Sequence, residues 1–397
     1  MPENTRKIMI VAGEMSGDLH AAKLADALRL ADPTQEYVFF GAAGPKMREI
    51  GVEPIVRSDG LSIVGLAEIG RALPMFLRAS KTLKNAAAAR KPDAVILVDF
   101  PDFNLKLAKA LKKQGLTIIY YISPQLWAWR RYRISTVKKY VDLMLTILPF
   151  EKDWYAEHGV DHVQYVGSPL AREVHAYRSK EEFCREHELD PGKPIVSLLA
   201  GSRHKEIVRI LPVMLGSAIK IAAVRPEAQF VIAMASNRHG KDVEFAIGKA
   251  KENGKVLPQT IKVVENETYD ALNASDVAAV TSGTATLETG IIGTPMAIVY
   301  KTSAINYSLL EPLISVPHYG LINLIAGERV AKELIQSDLT DETLSNELLR
   351  LLQPDANLAM REKLGQATEK LGHGGASKRA AEAILRLIEG RPFDQPS

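Results

Sequence analysis

The segment IMIVAGEMSGD, residues 8–18, decides the fold. Its first four residues are all apolar and three are β-branched, so they predict a strand buried on both faces rather than one alternating between core and water. The turn AGEMSGD (12–18) then leads into a helical pattern from Asp18 to Ala31. The same unit recurs outward: YVFF at 37–40, AVILV at 94–98, TIIYYI at 117–122 and LMLTI at 143–147. A second series runs PIVSLL at 194–199, QFVIAM at 229–234, TIKVV at 260–264, VAAV at 277–280 and MAIVY at 296–300. Strands alternating with helical segments predict an α/β chain of two doubly wound parallel sheets.

The polar stretch 166–194, with Pro and Gly at both ends, reads as the connection, with a boundary near residue 170. The expected domains are 1–170, 171–340 and a helical C-terminal segment 341–397, whose last helix, Ser377 to Glu389, is a candidate to return to the first domain. A length of 397 residues exceeds one ordinary core. With 46% hydrophobic and 24% charged residues, the chain falls outside the disordered, fibrous and membrane-spanning classes. Cys184 is the single cysteine, which rules out an intramolecular disulfide and fits a reducing compartment. The polar start followed by a short apolar run is no signal-peptide pattern, so a cytoplasmic location is expected. No stretch approaches the roughly 18–20 continuous apolar residues that cross a bilayer, so membrane contact is expected to be peripheral. Residues 1–165 carry 23 Lys+Arg against 18 Asp+Glu and the remainder 27 against 29, which assigns any anionic encounter to the first half.

In doubly wound sheets ligands bind beyond the strand carboxyl ends, so the loops after strands carry the chemistry. AGEMSGD offers Glu14 and Ser16 toward a ligand and Gly13 and Gly17 for a tight turn. Ser16 and Asp18 are equally read as caps of a helix starting near Asp18. VDFPDFN (98–104) places Asp99 and Asp102 at a strand end; Asp99 is the candidate base for an attacking hydroxyl, whereas Asp102 also reads as a helix cap. SPQLWAWRRYR (123–133) sets Arg130 and Arg131 among aromatics, a pattern for a phosphate-bearing small acceptor or a solvated face rather than nucleic acid. In LLAGSRHKEI (198–207) Gly201 and Ser202 let backbone approach a phosphate and Arg203 can hold a diphosphate. In VTSGTATLE (280–288) Ser282, Gly283 and Thr284 form a cradle at a helix start, and Glu288, one turn on, suits ribose hydroxyls or is a plain helical glutamate. No P-loop, no dinucleotide fingerprint and no metal-ligand cluster is present, so no cofactor and no metal are expected.

AGEMSGD, FGAAGPKM, VDFPDFN, YISPQLWAWR, LPFE, AGSR, SGTATLE and LINLIAGE occur in the order found in the lipid A disaccharide synthase family, which the chain resembles over almost its whole length. The resemblance implies the GT-B architecture, two Rossmann-like domains facing a central cleft. It also implies inverting transfer from UDP-2,3-diacylglucosamine to 2,3-diacylglucosamine 1-phosphate (lipid X). It makes Asp99 the base for the acceptor 6-hydroxyl and Asn323 a donor-site residue. Arg203, Ser282, Gly283, Thr284 and Glu288 become nucleotide contacts. Ser168 stands where many members carry His, and nothing is assigned to it. A UDP-sugar 2-epimerase is the alternative of similar architecture.

Acyl-bearing substrates require access to a membrane surface. The stretch 61–84 mixes Ile63, Val64, Leu66, Ile69, Leu73, Phe76 and Leu77 with Arg71, Arg78, Lys81 and Lys84, which suits interfacial insertion beside anionic lipid, and with the resemblance this implies the cytoplasmic face of the inner membrane; Pro74 is expected to break the stretch into two pieces. A basic-faced core helix is the competing reading. A homo-oligomer is compatible with this sequence.

Overall fold

The computed structural model describes residues 5–60, 69–303, 307, 316–372 and 374–392. Two compact units emerge, Met1–Pro169 with Gly374–Ser397, and Leu170–His373. The first holds β1 (Thr5–Ala12), β2 (Glu36–Ala43), β3 (Glu53–Arg57), β4 (Ala94–Val98), β5 (Ile118–Tyr121), β6 (Leu143–Thr146) and β7 (Val163–Tyr165). They form one parallel sheet in the order β3-β2-β1-β4-β5-β6-β7. The second holds β8 (Ile195–Leu199), β9 (Gln229–Met234), β10 (Ile261–Glu265), β11 (Val277–Thr281), β12 (Met296–Tyr300) and β13 (Glu333–Ile335), parallel in the order β10-β9-β8-β11-β12-β13.

All ten strands read from the sequence are present. The additional strands β3, β7 and β13 are short sheet edges, and β3 is exposed or half-buried throughout, so none carries an unbroken apolar run. The central strands do, because each face of the first sheet is covered. Ile8, Ile10, Ile96 and Val98 pack on one side with Leu24, Leu28, Ala380 and Ile384, while Met9, Val11, Val95 and Leu97 pack on the other with Leu83, Leu107 and Leu111.

The last helix, Ala376–Ile388, lies against the first, Met15–Ala31, in the first unit, and Arg379 donates to the Val166 carbonyl at 2.8 Å. The helices Asp341–Leu351 and Pro354–Glu369 belong to the second unit, so the C-terminal residues are shared between the two. The helix Ile69–Arg90 runs unbroken through Pro74, against expectation. Pro74 sits near the amino end, where it removes a single backbone donor, and burial of Ala79, Leu83 and Ala87 further along holds the helix down. Among the described residues one helix, His204–Val224, is long and apolar enough to cross a bilayer. Its Ile207, Ile210, Leu211, Met214, Leu215 and Ile221 are buried within the second unit, so its apolarity is that of a core helix.

Candidate active site

In the first sheet the strand order reverses between β1 and β4, whose ends lie in register at Ala12 and Val98. The loops Gly13–Glu14 and Asp99–Phe100 therefore emerge side by side at the switch point. Asp99 and Phe100 both adopt left-handed backbone, φ 46° and 51°. Such strain persists only where neighbours over-determine it. Here the Asp99 N–H donates to the Tyr121 carbonyl at 3.0 Å, and the Asp99 carbonyl accepts from the Tyr120 hydroxyl at 2.6 Å and the fully buried Asn104 amide at 2.8 Å. The Phe100 ring packs at a tilt against Phe103 and Phe76 with centroids 5.7 and 6.0 Å away, and it covers Gly13, where a Cβ would stand 2.3 Å from the ring. Glycine at 13 is thus required by Phe100.

Burial, with the Glu14 carboxylate adding to it against the Phe100 N–H, pushes the Asp99 carboxyl up to about 6. Its charged form is held poorly solvated at a strand end, the condition of a general base working near neutral pH. Glu14 and Ser16 are exposed, and Glu14 is near enough to act on the Asp99 carboxyl. The first helix begins at Met15 with Glu14 as its N-cap, three residues earlier than the sequence suggests. Ser16 and Asp18 consequently lie inside the helix and cap nothing there. Buried Asp18 instead accepts from the N–H groups of Gly44, Lys46 and Met47 at 2.9, 2.7 and 3.2 Å, tying the FGAAGPKM loop to the first helix.

Asp102 is no cap either, because its helix, Pro101–Lys112, starts from Phe100. Its carboxylate pairs with Arg130 at 2.8 Å and with Arg133. Burial acts upward on Asp102, but Arg133 and Arg130 outweigh it and hold the carboxyl below its ordinary range. Arg130 also lies 4.2 Å over the Trp129 ring, and Arg131 is exposed next to it.

Sequence reasoning missed Glu151, the acid of LPFE. It is fully buried, accepts from Trp127 Nε1 at 3.0 Å and from the Leu148 N–H at 3.1 Å, and burial lifts its carboxyl to about 7 despite both donors. Glu151 thereby anchors the loop that carries Trp129 and Arg130. An acid closing an apolar run at a strand end was the available signal.

In the second sheet the reversal falls between β8 and β11, with Leu199 opposite Val280. The loops Ala200–Arg203 and Ser282–Thr284 are therefore neighbours, and the Thr281 hydroxyl stitches them by donating to the Leu199 carbonyl at 2.9 Å. Gly283, φ 145°, is the N-cap of the helix Thr284–Ile292, and both Gly283 and Thr284 are exposed. Ser282 donates to the Tyr319 carbonyl at 2.7 Å. Glu288 is packed rather than a surface residue: it accepts from the Tyr269 hydroxyl at 3.1 Å, and burial raises its carboxyl against that bond. Arg203, the N-cap of the His204–Val224 helix, reaches Glu206 at 3.0 Å.

Asn323 is fully buried, and both of its amide donors are taken inside the protein, by the Ala331 carbonyl at 2.8 Å and Glu333 Oε1 at 2.9 Å. Its own oxygen accepts from the Ala331 N–H. Glu333, unnoticed in the sequence, also accepts from the Tyr319 and Gly320 N–H groups at 3.0 and 2.9 Å. This geometry commits both amide donors of Asn323, the residue the resemblance places at the donor site, to partners within the protein. Among the described residues no group of three or more His, Cys, Asp or Glu is arranged to hold a metal ion.

Two doubly wound parallel sheets, each with neighbouring loops at its switch point, define a two-domain α/β protein with the fold shared by glycosyltransferases and UDP-sugar epimerases. Solved structures share this fold at low identity. A putative UDP-N-acetylglucosamine 2-epimerase from Listeria monocytogenes is 18% identical with a TM-score of 0.67, covering 99% of this chain and 100% of that one. The calicheamicin glycosyltransferase CalG4 is 13% identical with a TM-score of 0.58, again over 99% and 100%. The family described as lipid-A-disaccharide synthetase matches residues 8–388. The lipid-A-disaccharide synthase of Syntrophus aciditrophicus is 42% identical over 97% of this chain and 99% of the relative, and that of Geobacter sulfurreducens 40% identical over 98% and 99%. The chain belongs to the lipid-A-disaccharide synthase family and is a glycosyltransferase. The epimerase alternative rests on shared fold alone.

Proposed function

We propose that Asp99 takes the proton of the acceptor 6-hydroxyl as that oxygen bonds to the anomeric carbon of UDP-2,3-diacylglucosamine. The bond from that carbon to the UDP oxygen breaks, UDP departs with the electron pair, and the β-1,6-linked disaccharide 1-phosphate of lipid A biosynthesis remains. What carries this reading is the Asp99 carboxyl, raised to about 6 on a strained loop held by three hydrogen bonds at the switch point. Glu14 and Ser16 border the acceptor. Arg130 and Arg131 attract its 1-phosphate, with Asp102 setting the Arg130 orientation. On the donor side Arg203 and the N–H groups of Ser282, Gly283 and Thr284 balance charge on the leaving diphosphate, and Glu288 receives the ribose hydroxyls. Asn323 acts at one remove, by holding the segment whose Tyr319 carbonyl orients Ser282.

UDP release from UDP-2,3-diacylglucosamine, followed with and without 2,3-diacylglucosamine 1-phosphate in detergent containing EDTA, tests the assignment. Release should require the acceptor and survive the chelator. Acceptor-independent release would favour hydrolysis or epimerisation and end this reading.

We also propose that the enzyme works at the cytoplasmic face of the inner membrane, where acyl-bearing substrates are reached. Leu73 and Leu77, 53% and 62% exposed and one turn apart, sit beside Arg78 and Lys81, which supports interfacial contact. Phe76 faces the aromatic cluster with Phe100 and Phe103 and so belongs to the interior. Ile63, Val64, Leu66 and the Ile69 side chain lie outside the described residues. Replacing Leu73 and Leu77 by Ser should reduce co-sedimentation with anionic vesicles about tenfold, since it removes two inserted apolar side chains. Unchanged sedimentation would remove this helix from the membrane contact.

A further inference from the structure

Ser202 and Arg203 are the groups suited to the donor diphosphate, yet both are occupied from within the chain. The Glu206 carboxylate accepts from the Ser202 N–H at 3.2 Å through one oxygen and from the Arg203 guanidinium at 3.0 Å through the other. Gly201, φ 104°, provides the room: a Cβ there would stand 2.5 Å from Glu206 Oε2. The missing side chain read from the sequence as an opening for phosphate is filled by a carboxylate. The two partners differ in freedom. The Arg203 side chain is 81% exposed and can swing, whereas that of Glu206 is 15% exposed and held. A carboxylate and a phosphate make the same charge-assisted hydrogen bonds to an N–H and a guanidinium, and two such anions repel when they compete for one pair of donors.

We propose that Glu206 is an internal stand-in for the donor diphosphate. It keeps the 200–203 loop in its anion-binding shape while the donor is absent, and the incoming diphosphate displaces it, with Arg203 exchanging one anion for the other. This rests on the donor-site reading above. It makes donor affinity a difference between two anions at one site rather than the full strength of the diphosphate contacts. Glu206 also lies in the first turn of its helix, where a carboxylate can act as a plain cap. Capping alone would cost stability on removal without changing ligand affinity.

Titration calorimetry of the full chain with UDP and with uridine, for the unmodified protein, Glu206→Gln, Arg203→Ala and the double variant, separates these. Glu206→Gln should bind UDP about 2- to 5-fold more tightly, the value of one competing exposed ion pair. Uridine affinity should not change, and the gain should vanish in the Arg203→Ala background. Glu206→Ala gives the same comparison should the glutamine variant fold poorly. UDP binding that is unchanged or weakened in both Glu206 variants overturns the stand-in role while leaving the donor site intact. Absence of UDP binding by the unmodified protein overturns the donor-site reading and this inference with it.

Discussion

Asp99→Asn should lower the rate of sugar transfer by about 10²- to 10⁴-fold, the usual contribution of a positioned general base, while UDP binding stays unchanged. The pH profile should change with it. Asp99 works when ionised, so with its carboxyl at about 6 the unmodified enzyme should lose kcat/KM about tenfold per pH unit below that value and level off above it. The variant's residual rate should be flat across the same window. Stability should move the opposite way. The folded value is raised above the ordinary 3.8, so the native state disfavours the charged carboxyl: the contribution is most favourable below pH 4 and declines as pH climbs to about 6. At pH 7 the asparagine variant should therefore be more stable, by about 1–2 kcal/mol after allowing for partial solvation, and should melt a few degrees higher. Loss of activity together with gained stability is the signature of a strained functional residue. A variant that keeps a tenth of the normal rate, or melts lower, would end the base assignment.

The second large effect is expected at Asn323. Alanine there leaves the Ala331 N–H and carbonyl unpaired and takes from buried Glu333 one of its three donors. Orphaned buried groups cost about 1–3 kcal/mol each, so a loss of about 2–4 kcal/mol is expected after relaxation. UDP should bind more weakly, by about tenfold, since the Tyr319 segment that orients Ser282 loosens. Asn323→Asp should also be severe, because it sets a second carboxylate against Glu333. Thermal denaturation beside UDP titration distinguishes the roles: affinity and melting temperature falling together mark a positioning residue. Lost activity at an unchanged melting temperature would instead make Asn323 a direct donor contact.

The misplaced details share one cause. Asp18 read as a helix cap because Ser, Gly and Asp at a turn often are, but its true partners lie 26 to 29 residues away on another loop. Asp102 read the same way until Arg130 and Arg133 met it from the far side of β5. Glu151, Glu206 and Glu333 passed as ordinary acids among 47. Each is distinguished only by the N–H groups that fold back onto it.

The sequence by itself determined the fold class of this protein, because unbroken apolar runs require a sheet covered on both sides, and the transferase reading came from the motifs AGEMSGD, VDFPDFN and SGTATLE, through which the chain resembles the lipid A disaccharide synthase family. It also located Asp99, because a carboxylate just past a buried strand cannot point far from that strand's end. Only the tertiary structure decided that Asp99 is raised toward neutrality, that Asn323 is locked inside, and that the last helix rejoins the first unit. Desolvation and hydrogen-bond satisfaction depend on which distant segments pack together, and local sequence carries no record of that.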